Sequence, residues 1–241
     1  MKKLLLAAAA LIALVAGDPA TAADMRVRAA PPPPVAPVSS WTGLYVGAGW
    51  GYGMYNLDTT VNVVGLPASA SQTLGGRGWL GIVTVGGDYQ LNNWLLVGGF
   101  ADYDLANIKS HNQISSPLVP FGNVRESNAW AVGARAGLLL NPQFLTYFSG
   151  GYTRARFTDD SPVFPSHNYG GWFIGSGVET RLAGLFGILG PGWFWRNEYR
   201  FADYRSAAFT TSPAVFTVTT RPFVQTFRTE VIYKFNWGGG Y

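Results

Sequence analysis

The sequence has little charge and no long apolar stretch beyond its N-terminus. Only 12% of its 241 residues are charged, whereas a soluble domain usually carries about a quarter. After the first residues there is no apolar run of about 18 residues, the length that a membrane-spanning helix needs. Mean hydropathy is nevertheless positive, at +0.11. We therefore expect the apolar residues to be buried in strands.

Cysteine is absent, which excludes a disulfide framework and a thiolate metal site. The net charge is +4, and several of the basic residues lie near the N-terminus. The pI of 9.4 is therefore a weak sign of nucleic-acid binding, and we expect no nucleic-acid partner.

The N-terminal 40 residues differ from the rest of the chain. Lys2 and Lys3 precede an apolar segment at 4–16, and small residues at 20–22 form a cleavage motif. We predict that residues 1–22 are a cleaved secretory signal peptide, because the apolar segment is too short for a membrane anchor. Residues 23–40 include four consecutive prolines and are predicted to be an extended periplasmic spacer. Residues 41–241 form the remaining domain.

Strand-like segments follow from residue 41 onwards. Each runs for about 11 to 15 residues, long enough to cross a bilayer at a tilt. Tight turns at 91–93 and 141–143 alternate with long loops rich in Pro, Ser, Thr and Asn, an arrangement typical of outer-membrane barrels. We predict strands at 43–56, 77–90, 94–105, 128–140, 144–157, 170–182, 192–205 and 222–236, and long loops at 57–76, 106–127, 158–169 and 206–221.

The expected fold is therefore all-β, an eight-stranded antiparallel transmembrane β-barrel with short periplasmic turns and long extracellular loops. The last strand must pair with the first to close the barrel and remove both edges. Two details stay open. The apolar connection at 183–192 leaves the end of the sixth strand undefined, and alternation within 209–219 allows the last two strands to continue beyond the membrane.

In the closing segment, 222–237, two kinds of side chain alternate along the sequence. Aromatic and apolar residues share one face, and charged residues share the other. In a soluble sheet the charged face meets water, whereas in a membrane barrel it lines the lumen. Most other strands show the same division with both signs of charge, and an eight-stranded barrel is just wide enough for its side chains to fill. We therefore predict a paired ionic network in the lumen, made of Asp88, Asp102, Asp104, Arg135, Arg154, Arg156, Glu179, Arg181, Arg196, Glu198, Arg200, Arg228, Glu230 and Lys234.

Two finer expectations follow from these parities. The closing strand's charges should pair with Arg200 and Glu198 on the preceding strand, or lie against the glycine-lined face of the first strand. In segment 144–157, the face carrying Leu145, Tyr147 and Phe157 should meet lipid. The aromatic girdles of the membrane interfaces are predicted to include Trp79, Trp130, Trp172, Trp193, Tyr199 and Trp237.

The sequence also resembles a family. Its Ala-Ala-Asp at 22–24, proline run at 31–34, Trp-Thr-Gly-Leu-Tyr-Val-Gly at 41–47 and Val-Ile-Tyr-Lys-Phe at 231–235 are similar to those of small alphaproteobacterial outer-membrane β-barrel proteins, in the opacity-protein and porin-like superfamily. The resemblance implies an eight-stranded barrel in the outer membrane of a Gram-negative cell, surrounded by lipid. It also implies recognition of a C-terminal aromatic by the barrel-assembly machinery, for which the candidates are Tyr233, Phe235 and Trp237.

No motif for catalysis stands out. His111 and His167 fall in predicted loops without a carboxylate at ligand spacing, and Ser176 lacks the frame of a nucleophile elbow. Asp102 and Asp104 point the same way, but lumen arginines give them a structural role. The family brings no catalytic motif either. We therefore expect no catalytic, cofactor-binding or metal-binding residues.

The sequence favours a non-enzymatic integral outer-membrane protein with a structural or surface role in the cell envelope. A narrow porin-like channel for ions or small solutes is the first alternative. A second is an adhesin that binds host or surface ligands through its loops. An outer-membrane enzyme, such as a lipid acylhydrolase or protease, is the alternative from another class.

Overall fold

The computed structural model describes residues 40–65, 67, 69–110, 115–116, 119–120, 124–158, 166–182, 190–210 and 216–236. The predicted signal peptide, all but the last residue of the predicted spacer, and Trp237 lie outside the described residues. Within the described part, no helix is long and apolar enough to cross a membrane.

Eight long strands form one closed antiparallel ring, as the sequence predicted. Each pairs with its neighbours along the chain, and the last pairs with the first from Gly43 opposite Asn236 to Val63 opposite Phe216. The long strands are β1 (Gly43–Val63), β2 (Ser69–Gln90), β3 (Leu95–Ser110), β6 (Arg125–Asn141), β7 (Phe144–Thr158), β8 (His167–Arg181), β9 (Trp193–Tyr204) and β11 (Phe216–Asn236); the short strands are β4 (Ser115–Ser116), β5 (Val119–Pro120) and β10 (Ala207–Thr210).

Several strands run further than the sequence predicted. Most of the predicted loop 57–76 is strand, because β1 continues to Val63 and β2 begins at Ser69. Thr and Val predominate in the extension of β1, and such β-branched residues favour strands. The chain reverses through Gly65, whose φ of 85° suits glycine. The prediction of a loop from the polar character of this segment was therefore wrong.

A β-bulge in β6 changes which residues face inward. The register with β7 shifts between Glu126 and Asn128, and one extra residue moves the following side chains to the other face. Residues an even number of positions apart share a face in a regular strand, as Glu126 and Trp130 would. Trp130 nevertheless points outward, whereas Glu126 is buried inside. The sequence placed Glu126 in a loop and missed it.

The outer wall of the barrel is apolar. Val83, Val132, Ile174 and Phe148 are 52%, 52%, 56% and 74% exposed, and an exposed apolar surface of this extent marks contact with lipid. We call the end with the connections at 91–94 and 142–143 the turn end, and the opposite end the loop end. Exposed aromatic side chains near the two ends form the expected girdles, with Tyr89 and Trp94 at the turn end and Trp79, Trp130 and Trp172 toward the loop end.

Inward-facing glycines in β1 allow β1 and β11 to pack closely where the barrel closes. A Cβ atom at Gly49 would lie 2.0 Å from the backbone carbonyl oxygen of Thr229, and one at Gly51 would lie 2.6 Å from that of Phe227. Both distances are too short for any side chain. The glycine face of β1 therefore allows close approach of β11 where the ring closes.

Candidate functional site

The candidate site is the lumen. Eleven of the fourteen predicted network residues are buried inside the barrel wall, and Arg181 is half-buried at the turn end. Within the barrel these residues form two ionic clusters, which lie one above the other. The eleven are Asp88, Asp102, Asp104, Arg135, Glu179, Arg196, Glu198, Arg200, Arg228, Glu230 and Lys234.

The lower cluster lies nearer the turn end and centres on Glu179 of β8. Its carboxylate is 2.9 Å from Arg135 Nη1, 2.9 Å from Arg196 Nη2 and 2.7 Å from Lys234 Nζ. Asp88 is the second acid, and it accepts hydrogen bonds from Arg135 Nε and Lys234 Nζ, both at 2.8 Å. Two carboxylates thus hold three cations from β6, β9 and β11 together.

The upper cluster lies nearer the loop end and centres on two arginines. Arg200 donates to both carboxylate oxygens of Asp102, at 3.1 and 2.8 Å, and through Nε to Glu198 at 2.8 Å. Arg228 donates to both oxygens of Asp104, at 2.8 and 2.9 Å. Such two-point pairing fixes geometry as well as charge.

The remaining acid of the upper cluster, Glu230, has a neutral partner. It accepts a hydrogen bond of 2.6 Å from the Thr84 hydroxyl, and its carboxylate is 3.9 Å from Arg228 Nε. The cluster is therefore closed by hydroxyl groups as well as by arginines.

The partners of the closing strand differ from those expected. Glu198 lies directly opposite Arg228 in the ladder, yet Arg228 forms its two-point pair with Asp104 of β3. Lys234 reaches Asp88 of β2 and Glu179 of β8. Long side chains in a narrow lumen can reach strands that are not their neighbours, so the expected pairing with Arg200 and Glu198 is wrong. The alternative expectation holds, because Arg228 and Glu230 lie opposite Gly51 and Gly49 of β1.

An aromatic layer covers the lower cluster at the turn end. Trp41 is 1% exposed, and its ring centre is 4.8 Å from that of Phe194. Lys234 Nζ lies 4.6 Å from the centre of each of these rings, and the Arg181 guanidinium lies 4.9 Å from that of Phe194. Cations over aromatic faces are stabilised by the ring quadrupole. This layer caps the charged lumen at the turn end.

A second aromatic layer covers the upper cluster at the loop end. The Phe157 ring lies 5.5 Å from those of Tyr55 and Tyr169 and 6.4 Å from that of Tyr204. The Tyr55 hydroxyl donates to the Val124 carbonyl at 2.6 Å. These side chains come from strands around the ring, so their rings meet across the lumen.

The comparisons with known proteins agree with this architecture. A family model described as "Outer membrane protein beta-barrel domain" matches residues 6–235. The chain belongs to this family. It is therefore an outer-membrane β-barrel protein of a Gram-negative cell, and membrane lipid surrounds its apolar wall. The turn end faces the periplasm and the loop end faces the cell exterior.

Two relatives come from Brucella melitensis biotype 1. The chain is 29% identical to the 25 kDa outer-membrane immunogenic protein over 245 residues, which cover 98% of this chain and 99% of that protein. It is 25% identical to the 31 kDa outer-membrane immunogenic protein over 223 residues, covering 84% and 87%. Among solved structures, the outer membrane protein OprG from Pseudomonas aeruginosa matches with a TM-score of 0.49 and 11% identity, covering 82% of this chain and 99% of that chain.

Arg154 and Arg156 do not belong to the lumen network. Both are exposed on the outer wall, whereas Leu145, Tyr147 and Phe157 of the same strand are buried inside. The prediction of which face of β7 meets lipid and which lines the lumen was therefore wrong. The rule that charges face inward holds only between the girdles, and Arg154 lies opposite the girdle residue Trp130. At that depth the outer wall meets lipid headgroups, where arginine is favourable.

The other predicted site residues take ordinary positions. His111 lies outside the described residues, and His167 begins β8 with its ring 4.8 Å from that of Tyr169. Tyr233 and Phe235 are on the outer wall at the turn end, half-buried and exposed respectively; their role in assembly stays a prediction. Among the described residues, no group of three or more His, Cys, Asp or Glu side chains could hold a metal ion.

Proposed function

We propose that this protein is a sealed, non-enzymatic barrel that anchors a surface structure in the outer membrane and conducts no solute. The observation that carries the proposal is the succession of buried layers across the lumen of the described barrel. From the periplasmic side, a solute meets the layer of Trp41 and Phe194, then two ionic clusters, then the layer around Phe157. Within the part of the chain that the structure describes, charges paired at such short distances leave little room for a water-lined path.

The buried acids support a structural role over a catalytic one. Glu179 and Asp88 each hold two or more cations, and Asp102 and Asp104 are held at both oxygens by arginines. A general acid or base needs access to substrate, whereas these carboxylates lie under aromatic layers. The proposal that the protein is not an enzyme rests on this enclosure.

Planar-bilayer recording on refolded protein tests the sealed barrel. We expect no conductance steps from barrels whose folding is shown by different gel mobility before and after boiling. A matched variant, Trp41→Ala with Phe194→Ala, removes the periplasmic layer while leaving the ionic clusters, and it should stay silent because those clusters still block the lumen. Reproducible steps from the wild-type barrel would establish the channel alternative instead.

Surface recognition is the second candidate function, and the extended strands favour it. β1, β2 and β11 continue past the outer girdle, and β2 leaves the β3 ladder above Gly76. Residues 69–73 of β2 are exposed, so a strand edge that no described residue pairs with faces the exterior and could add a partner's strand. Replacing residues 58–73 by a two-residue Asn-Gly turn, which joins the ladder partners Leu57 and Leu74, should remove binding to a surface ligand while the barrel still folds. Unchanged binding to immobilised surface ligands would contradict this role.

A further inference from the structure

Exposed arginines stand out on the outer wall at the loop end. Arg77, Arg125, Arg154, Arg156 and Arg205 are all exposed, and none of them forms an ion pair with another residue that the structure describes. Arg221, on the same rim, differs: it donates to both carboxylate oxygens of Asp203, at 3.2 and 2.7 Å. Counting described residues alone, the rim therefore holds one compensated arginine and several uncompensated ones.

Three of these arginines lie side by side on neighbouring strands. Arg154 and Arg156 of β7 are opposite Gly170 and Asn168 of β8. The Arg205 backbone N–H, just after β9, donates to the Gly170 carbonyl at 3.0 Å. The three guanidinium groups thus belong to one short arc of the wall.

Two adjacent clefts open between these side chains. One, of about 200 Å³, is lined by Arg154, Arg156, Trp130 and Asn168 among others. The second, of about 300 Å³, is lined by Arg154, Arg205, Asn168 and Ser206 among others. Arg154 and Asn168 line both clefts. Each cleft therefore offers two guanidinium groups and at least one amide or hydroxyl, which are the donors that a phosphate group accepts from.

The position of the clefts selects a lipid as occupant. Trp130 and Tyr152, whose ring centres are 5.6 Å apart, form the girdle beside and below Arg154, and the wall beneath them is apolar. In the sequence, two acids, Asp159 and Asp160, follow β7 outside the described residues; two carboxylates cannot neutralise all three arginines of this arc. A ligand with anionic groups at the interface and acyl chains below it matches this arrangement.

We propose that Arg154, Arg156 and Arg205 form a binding site for the phosphate groups of a phosphorylated outer-leaflet lipid, whose acyl chains lie along Tyr152 and Trp172. The site is on the outer wall, so it does not depend on whether the lumen conducts. Arg154 is its central residue because it lines both clefts.

The test measures lipid retention by the full chain refolded in phosphatidylcholine nanodiscs with a minor fraction of bis-phosphorylated lipid A. Native mass spectrometry reports the fraction of barrels that keep a lipid A molecule. An arginine near an anionic surface contributes about 1 kcal/mol, which is about fivefold in affinity. We expect Arg154→Gln to weaken lipid A binding about fivefold, and the triple change with Arg156→Gln and Arg205→Gln about a hundredfold. Arg221→Gln makes the same change to a paired arginine on the same rim and should leave binding unchanged.

Four results would overturn the proposal. The first is equal lipid A retention by the wild type and the triple variant. Another is an equal loss in Arg154→Gln and Arg221→Gln, which would show a general charge effect. A third is equal retention of dephosphorylated lipid A, which would assign binding to the acyl chains. The fourth is displacement of lipid A by inorganic phosphate at matching concentration, which would make the site one for free anions. Different gel mobility before and after boiling confirms that each variant is folded.

Discussion

The substitution Glu179→Gln tests the ionic lumen directly. Glu179 is fully buried, and its carboxylate lies within 2.9 Å of three cations, Arg135, Arg196 and Lys234. Gln keeps the size of the side chain but removes its charge, so Asp88 alone would face three buried positive charges. Removing one partner of a buried ion pair typically costs about 3–5 kcal/mol. We expect the free energy of unfolding to fall by that amount.

The assay is urea unfolding of the refolded barrel in lipid vesicles, followed by tryptophan fluorescence. Asp203→Asn is the matched control, because it removes one carboxylate charge from a pair at the barrel rim, in which the Arg221 side chain is 51% exposed and that of Asp203 is 12% exposed. Exposed ion pairs contribute about 0–1 kcal/mol, so the control should leave the midpoint almost unchanged.

Coupling between residues sharpens the test. Adding Lys234→Met to Glu179→Gln removes one of the stranded cations, so the double variant should lose less stability than the sum of the two single variants. Contacting residues of this kind usually couple by about 0.5–3 kcal/mol. Equal midpoints for Glu179→Gln and Asp203→Asn, or strict additivity in the double variant, would refute the paired lumen.

Three further predictions concern the capping layers, the upper cluster and assembly. Trp41→Ala should lower the free energy of unfolding by about 3–5 kcal/mol, since it empties a buried aromatic site; thermal gel-shift midpoints measure this, and an unchanged midpoint would contradict the packed cap. Glu198→Ala should lower the melting temperature more than His111→Ala, and equal melting temperatures would argue against a role for Glu198 in the network. Phe235→Ala should reduce outer-membrane insertion in cells while refolding into vesicles stays normal; equal losses in both assays would point to stability instead of recognition.

The number of strands and the inward face of most of them could be predicted from the sequence. The reason is that the two faces of a barrel strand meet different environments, so alternation records them directly. The ion-pair partners could not be predicted in this way. Alternation places Arg228 inside, but its two-point contact with Asp104 depends on how far long side chains reach across a curved wall.

Two failures of the sequence analysis have physical causes at the ends of strands. Arg154 and Arg156 lie where the outer wall leaves the hydrocarbon region, so charge there no longer indicates the lumen. Glu126 precedes a β-bulge, which reverses the relation between parity and face for the rest of β6. Parity therefore assigns faces reliably only within an uninterrupted ladder between the girdles.

The correction of β7 also changes the charge balance of the lumen. The predicted network had eight basic and six acidic residues; without Arg154 and Arg156, and with the buried Glu126 added, it has six basic and seven acidic residues, so the imbalance falls from two charges to one. Because an uncompensated buried charge is costly, the corrected set of lumen residues is energetically more favourable than the predicted set. Inward charges interrupt the apolar residues of six of the eight long strands, and inward Gly, Ser or Thr residues do so in β1 and β7, which is why no segment beyond the N-terminus reaches the length of a spanning helix. A strand that meets lipid on only one of its faces can carry a polar residue at every second position. The paired lumen and the missing apolar run thus have one cause.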